Sequence, residues 1–300
     1  MKSYLKTRLA KYRKITKLPG EASVRSFFRV YTDSSTVVAM VYPSENRAEI
    51  ERIVKLTSLY LERGIPVPEI YDVIDHRIVM QEDLGDHLVQ TLLKPSRGEV
   101  FQQLMQHIQS LLLKLVKIPP AVTPFHLDKG RMKWEMDFFL TYFAKNLLPQ
   151  GTYESRWKES LYRLVEAIDQ EDTFAHRDFH SRNMLYHGNK VYLVDLQDSL
   201  QAPRHYDLVS FLYDSYADIK GERERFLNHL KEAGMAIDRE QFYLTALQRN
   251  IKALGTFGNQ ITVHNNLSYK KYIRRTLRHI QSNPFHTTFI PNSLFGEISV

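Results

Sequence analysis

Short segments with apolar residues at every second position come early in the chain, around one helical stretch, and beyond Gly85 apolar residues recur at every third or fourth position. A chain that changes its apolar period once, from 2.0 to about 3.6, builds a small sheet first and a mainly helical part second, an α+β arrangement. Phe27 to Tyr31 and Thr36 to Val41 flank the polar stretch Thr32-Asp33-Ser34-Ser35, which predicts a hairpin. Ile15 to Leu18 predicts a preceding strand, with a turn over Pro19 to Ser23. Glu45 to Arg63 predicts a helix stopped at Gly64, ahead of Pro66 and Pro68. Tyr71 to Ile74 and Arg77 to Gln81 predict two more strands. Past Gly85, the positions Phe101, Leu104, Met105, Ile108, Leu111, Leu112 and Leu115 trace one buried helical stripe ending before Pro119-Pro120. Further helices are predicted over 131–147, 154–168, 205–217, 221–233, 239–254 and 266–280. The expected organisation is residues 1–80 as an N-terminal lobe, 81–86 as a hinge and 87–300 as a C-terminal lobe.

With 300 residues the chain can bury a sizeable core. It has no cysteine, which excludes disulfides and thiolate metal sites and suits a reducing, cytoplasmic setting. The start is basic without an apolar secretory core, and the longest apolar clusters, such as Leu111 to Val116, are interrupted by Lys114 and too short to span a bilayer. No membrane partner is expected. The net charge of +7 is unevenly placed: residues 1–17 hold seven Lys or Arg, residues 248–280 another seven, and neither stretch holds an acid. The N-terminal run does not interleave aromatics and glycines as RNA-binding segments do, so solvated helix faces are predicted and no nucleic-acid partner. On the helix from Tyr269, the residues Tyr269, Tyr272, Ile273, Leu277 and Ile280 should be buried while Lys270, Lys271, Arg274, Arg275 and Arg278 face away. Oligomeric state has no signature here.

The chemistry concentrates in HRDFHSRNML, His176 to Leu185. Met184 to Tyr186 and Val191 to Val194 predict a hairpin turning at Gly188-Asn189; if His187 pairs with Lys190, Asn183 falls opposite Val194 and meets Asp195 at the open end. Amide and carboxylate oxygens are hard ligands suited to Mg²⁺. Phosphoryl transfer needs such a pair to hold the metal against nucleotide phosphates, and a separate carboxylate to orient the attacking hydroxyl. Asp178 is the candidate for that carboxylate, with Asn183 and Asp195 the candidate metal ligands.

HRDFHSRN resembles the catalytic loop of aminoglycoside phosphotransferases and protein-kinase-like enzymes, H-x-D-x-x-x-x-N, and VDLQD from Val194 resembles their metal-binding segment. The resemblance runs from about residue 18 to residue 280 and extends to bacterial kinases that phosphorylate N-acetylmuramate and N-acetylglucosamine at the anomeric hydroxyl. It is carried by six segments in order: GEASVRSFFRV from Gly20, GIPVPEI from Gly64, QEDLGD from Gln81, HRDFHSRNML, VDLQDSLQAPRHYDLVSFLYD from Val194 and QRNIKALGTFG from Gln248. It implies a bilobal protein-kinase-like fold with a β-rich lobe carrying one helix. It also implies ATP with Mg²⁺, a sugar acceptor, adenine bound by the backbone at Glu82 and Leu84, and His176 and Asp207 as supports of the catalytic loop. Asp207 also reads as a helix N-cap. Asp86, His180, Arg182 and Arg249 are the candidate substrate contacts, Asp86 having a helix cap as its other reading. Gln197 and Asp198 read either as solvated turn residues or, from the resemblance, as neighbours of the metal.

One departure stands out. The third-strand lysine of ordinary kinases has no counterpart in Thr36 to Val41. Phosphate contacts then fall on the backbone N–H groups of Gly20 to Ser23, with Ser23 included, and on Arg25.

Other classes are weaker. His176 and His180 could be metallohydrolase ligands on a strand, which leaves Asn183 and VDLQD unexplained. No G-x-S-x-G elbow is present, and no Ala-Pro-Glu activation segment follows Asp195. A non-catalytic nucleotide-binding relative is the alternative favoured by the missing lysine and opposed by the intact Asp178, Asn183 and Asp195. The acid-free 248–280 stretch disfavours a polycationic aminoglycoside and favours a neutral or anionic acceptor approached by Arg249 or Lys252. Another small-molecule hydroxyl, such as that of choline, is the alternative acceptor.

Overall fold

The computed structural model describes residues 7–9, 12–19, 24–149 and 155–295. Gly20 and Ser23, most of the predicted 19–23 turn and residues 1–6 of the basic N-terminal run lie outside the described residues. The chain divides into two compact units, Met1–Leu88 with Asn183–Gln197, and Val89–Arg182 with Asp198–Val300.

The first unit is a five-stranded antiparallel sheet ordered β1-β2-β3-β5-β4, with β1 Lys14–Lys17, β2 Ser26–Tyr31, β3 Thr36–Val41, β4 Ile70–Ile74 and β5 Ile78–Glu82. The predicted hairpin closes in register, Tyr31 opposite Thr36. Alternation sorts the side chains between two clusters. Ala39, Val41, Ile78 and Met80 pack with Leu9 and Val30, while the intervening Met40, Tyr42 and Val79 pack with Ile50 and Ile53 of helix α1, Arg47–Glu62. Each large aliphatic chain so buried contributes about 1.5–3 kcal/mol.

Helix α1 is defined at both ends by local chemistry. Asn46 accepts from the Glu49 backbone N–H at 3.4 Å and donates its amide to the Glu49 carboxylate at 2.9 Å, a reciprocal cap. At the other end Gly64 adopts φ +64°, its N–H donates to the Leu61 carbonyl and that of Ile65 to the Tyr60 carbonyl. The second hairpin, β7 Met184–His187 with β8 Lys190–Leu193, also belongs to this unit, pairing His187 with Lys190 as predicted. The Leu193 N–H donates to the Pro66 carbonyl and the Tyr186 N–H to the His87 carbonyl, both at 2.9 Å, which fastens it there rather than to the segments flanking it in sequence.

The second unit is mainly helical: α2 Glu99–Leu115, α3 Lys129–Phe139, α4 Arg156–Ala167, α5 Tyr206–Leu212, α6 Arg223–Glu232, α7 Arg239–Thr262 and α8 Lys270–Gln281. All seven positions of the predicted α2 stripe are buried. So are the five apolar positions predicted for the helix from Tyr269, whose Lys270, Lys271, Arg274 and Arg278 are exposed and Arg275 half-buried. A short ladder of β6 Asp172–Ala175 and β9 Leu200–Pro203, not foreseen from the sequence, ends its first strand just before the loop that starts at His176. No helix among the described residues is long and apolar enough to cross a membrane.

Three helix boundaries differ from expectation. The helix predicted over 239–254 continues to Thr262, because Gly255 and Gly258 permit close approach of a neighbouring helix instead of breaking their own. A Cβ on Gly255 would lie 2.9 Å from Phe139 Cα, and one on Gly258 would lie 2.5 Å from the Tyr142 carbonyl oxygen. Those neighbours belong to α3 and to the π-helical turn Leu140–Lys145 into which the predicted 131–147 helix widens. Gly258→Ala should therefore lower stability by about 1–3 kcal/mol through overpacking, as read from urea unfolding; an unchanged midpoint would contradict this close contact. The helix predicted over 205–217 stops at Leu212, leaving Asp214 free to turn toward the catalytic loop.

Candidate active site

In the second unit, β6 delivers the chain to the loop His176–Arg182 through buried Phe174 and Ala175, and Phe179 anchors it from within. The loop is held by a set of carboxylates. Asp207 accepts the His176 backbone N–H at 2.6 Å and the Arg177 N–H at 3.0 Å. It lies in the first turn of α5, whose N-cap is His205, so its carboxylate serves the loop and the N-cap reading is corrected. Burial pushes its carboxyl up to about 6, against the pull of His176 and the two N–H groups. Asp214, also buried, accepts from the Ser181 N–H at 2.9 Å and hydroxyl at 2.5 Å.

Arg177 adopts φ +76°, a conformation that costs a non-glycine residue about 1–3 kcal/mol and needs surrounding contacts to persist. Glu135 of α3 and Asp198 supply them, at 3.2 and 3.3 Å from its guanidinium. Glu135 is 2% exposed and accepts at its other oxygen from Gln248 at 2.9 Å. Asp198 is thus an ion-pair partner of the loop.

Asp178 is 26% exposed, with Lys252 Nζ at 3.1 Å and Arg249 at 3.9 Å. Burial opposes its charge, yet Lys252, Arg177, His180 and Arg249 together hold its carboxyl well below the usual range. The charge-charge part of this stability is complete above about pH 4 and is lost only as pH falls through the depressed folded value. Lys252→Met should move the acid limb of kcat/KM to higher pH than in the wild type; superimposable profiles would contradict the pairing.

The candidate substrate contacts take distinct positions. Arg249 is buried, and its Nε donates to Ser210 at 2.6 Å, so Lys252 is the nearer of the two cations to Asp178. Arg182 lies 4.7, 5.8 and 5.9 Å from the rings of Tyr216, Tyr269 and Tyr272. His180 stands edge-on to Tyr216 at 5.0 Å, and burial pushes its imidazole below the ordinary value. His176 is fully buried edge-on to Phe179, so the two histidines face different aromatic partners and do not form the ligand pair of a metallohydrolase.

In the first unit, Asn183 and Asp195 sit at the open end of β7–β8, where the Val194 N–H donates to the Asn183 carbonyl at 3.0 Å. Asp195 adopts φ +70°, and its Oδ1 accepts from Arg25 at 2.6 Å and from Gln197 at 3.1 Å. Gln197 is buried and accepts from Arg25 at 2.8 Å, so it is no solvated turn residue.

At the end of β5, the Glu82 N–H donates to the Glu69 carbonyl at 2.8 Å, while Leu84 is buried. Asp83 and Asp86 share the guanidinium of Arg29, at 2.6 and 2.9 Å. Asp86 is 72% exposed, caps no helix, and lines with Arg29, Thr36, Asp83, Gly85 and His187 an open cleft of about 360 Å³. Sequence reasoning missed Glu135 and Asp214. The signal for Glu135 was its place among Met132, Met136 and Phe139 on the buried side of α3.

A carboxylate held well below its usual range on a clamped loop is the kind of group that phosphoryl transfer needs to orient an attacking hydroxyl. The chain belongs to the phosphotransferase enzyme family, whose model matches residues 14–242, and it is a phosphotransferase with an alcohol group as acceptor. It is 26% identical over 288 residues to an N-acetylmuramate/N-acetylglucosamine kinase of Neisseria meningitidis serogroup B, covering 89% of this chain and 84% of that one. To the protein of the same name in Pseudomonas aeruginosa it is 24% identical over 254 residues, 79% of this chain and 74% of the other. The structure of an AMP-bound spectinomycin phosphotransferase superposes with a TM-score of 0.68 at 12% identity, covering 93% of this chain and 97% of that one. The fold is the α+β, bilobal protein-kinase-like one, with its small β-rich lobe and larger helical lobe.

Proposed function

We propose that the protein is an ATP-dependent kinase transferring the γ-phosphoryl group to the anomeric hydroxyl of N-acetylmuramate or N-acetylglucosamine, acting in the cytoplasm in cell-wall sugar recycling. The observation that carries the acceptor class is the cationic surround of Asp178, with Lys252 Nζ at 3.1 Å and Arg249 at 3.9 Å. A polycationic aminoglycoside would be repelled there, whereas a neutral sugar or its lactyl-ether carboxylate is accommodated. The names of the two bacterial relatives support the same acceptors.

Asp178 accepts a hydrogen bond from the acceptor hydroxyl and aims its oxygen at the γ-phosphorus. Because its carboxyl is held well below the usual range, it remains a carboxylate and takes the proton late, as the new P–O bond forms and the bond to the leaving diphosphate breaks. A hemiacetal hydroxyl is more acidic than an ordinary alcohol and needs less from its base. Asn183 and Asp195 suit a hard divalent ion and would hold Mg²⁺, which when bound neutralises charge on the phosphate oxygens. The Glu82 N–H being committed to Glu69, adenine contact falls to the backbone at Leu84.

The test is Mg²⁺-dependent ATP consumption over N-acetylmuramate, N-acetylglucosamine, glucosamine, an aminoglycoside and choline, with Asp178→Ala as control. Turnover confined to the N-acetyl sugars and lost in the control supports this reading. Turnover on choline or the aminoglycoside instead would replace the acceptor, and ATP binding without turnover on any of the five would favour a binding-only relative.

A further inference from the structure

The sheet of the first unit lacks the lysine that kinases use to grip nucleotide phosphates: β3 reads TVVAMV. We propose that Arg25 supplies that cation, and that its present partner Asp195 is a holding site which it leaves for the phosphates when metal and nucleotide bind. This rests on the phosphotransferase reading and names the residue that completes its nucleotide site.

The observations converge from three sides. First, Arg25 is 8% exposed, an uncommon place for a guanidinium, and two of its nitrogens reach Asp195 Oδ1 at 2.6 Å and Gln197 Oε1 at 2.8 Å. Second, it arrives over the strand where the lysine is missing. Phe27 pairs with Met40, and the Arg25 guanidinium lies 3.6 Å from the Met40 sulfur and 6.0 Å from the centre of the Phe27 ring. Third, the helical partner is present. In the usual pattern a glutamate on the helix of this lobe pairs with the strand lysine. Here Glu49, in the first turn of α1, accepts from the Tyr42 hydroxyl at 3.0 Å, and the Glu49 charge favours that of Arg25.

The exchange follows from charge. Arg25 balances the single negative charge of Asp195 before ligands arrive. With a divalent ion held by that carboxylate the guanidinium would be repelled from it, and its planar fork of donors would suit the nucleotide phosphates as a bidentate partner. No covalent bond changes; one anion replaces another.

Calorimetric titration of the full chain with ATP plus Mg²⁺, with adenosine, and with Mg²⁺ alone tests this on wild type, Arg25→Gln and Arg25→Lys. The expected result is about a 10- to 100-fold loss of Mg²⁺-ATP affinity in Arg25→Gln with partial recovery in Arg25→Lys. Adenosine affinity should be unchanged, and Mg²⁺ alone should bind Arg25→Gln more tightly because its competitor for Asp195 is gone. Equal ATP affinity in wild type and Arg25→Gln would overturn the inference while leaving the kinase reading intact. A parallel loss of adenosine binding would overturn it in favour of a structural arginine. A wild type that binds neither ATP nor adenosine would overturn the kinase reading itself.

Discussion

Asp178→Ala should lower kcat by about 10²- to 10⁴-fold while the Kd for nucleotide changes little. The carboxylate lies in the second unit, and the residues proposed to hold nucleotide and metal lie in the first, so its removal takes away orientation of the acceptor and leaves the nucleotide contacts. The loss of a negative charge also removes the ion-pair partner of Lys252, so a moderate fall in stability accompanies the kinetic one. Asp178→Asn separates the two effects: it retains an acceptor oxygen and the packing but not the charge. Rapid-quench kinetics should place the defect in the chemical step; a mutant with unaltered kcat and raised nucleotide Kd would move Asp178 out of the catalytic role.

The second large effect is expected at Asp207. Both of its oxygens accept backbone N–H groups, from His176 and Arg177, and all three groups lie where water is scarce. Alanine leaves two donors unsatisfied at about 1–3 kcal/mol each. Asparagine is no rescue, because one of its two positions becomes an NH₂ facing an N–H donor. The Arg177 backbone at φ +76° depends on this clamp, so the loop carrying Asp178 should loosen and kcat should fall by more than tenfold. Thermal unfolding together with kcat measures both; a variant as stable and as active as wild type would show that Glu135, Asp198 and Asp214 suffice to hold the loop.

These carboxylates also mark how far the sequence could be read. Where structure is written in neighbouring residues, it was legible. The register of β2–β3, both ends of α1 and the pairing of His187 with Lys190 follow from local alternation, caps and turn residues. The loop carrying Asp178 and the hairpin whose open end holds Asn183 and Asp195 were legible for the same reason, each being a local stretch of chain. What was illegible depends on distant partners. The helix expected over 239–254 runs on to Thr262 because Gly255 and Gly258 admit Phe139 and Tyr142, partners far away in the sequence. Asp214 read as part of a helix because its reason for leaving it, Ser181, is thirty-three residues away. The buried side of α3 marks Glu135 as unusual, but its role, like that of Tyr42, is defined only by a distant arginine, Arg177 or Arg25. The Asp207 N-cap reading failed because a helix-initial aspartate has the same local signature whether it serves its own helix or another loop.

The position of phosphorylation tests the central claim most directly. Phosphorus NMR of the product formed from ATP and N-acetylmuramate, or from N-acetylglucosamine, should show a phosphomonoester coupled to the anomeric proton, with loss of the sugar's reducing end. A phosphate coupled to any other ring or side-chain proton, with the reducing end retained, would contradict the assignment of the anomeric hydroxyl as the acceptor oriented by Asp178.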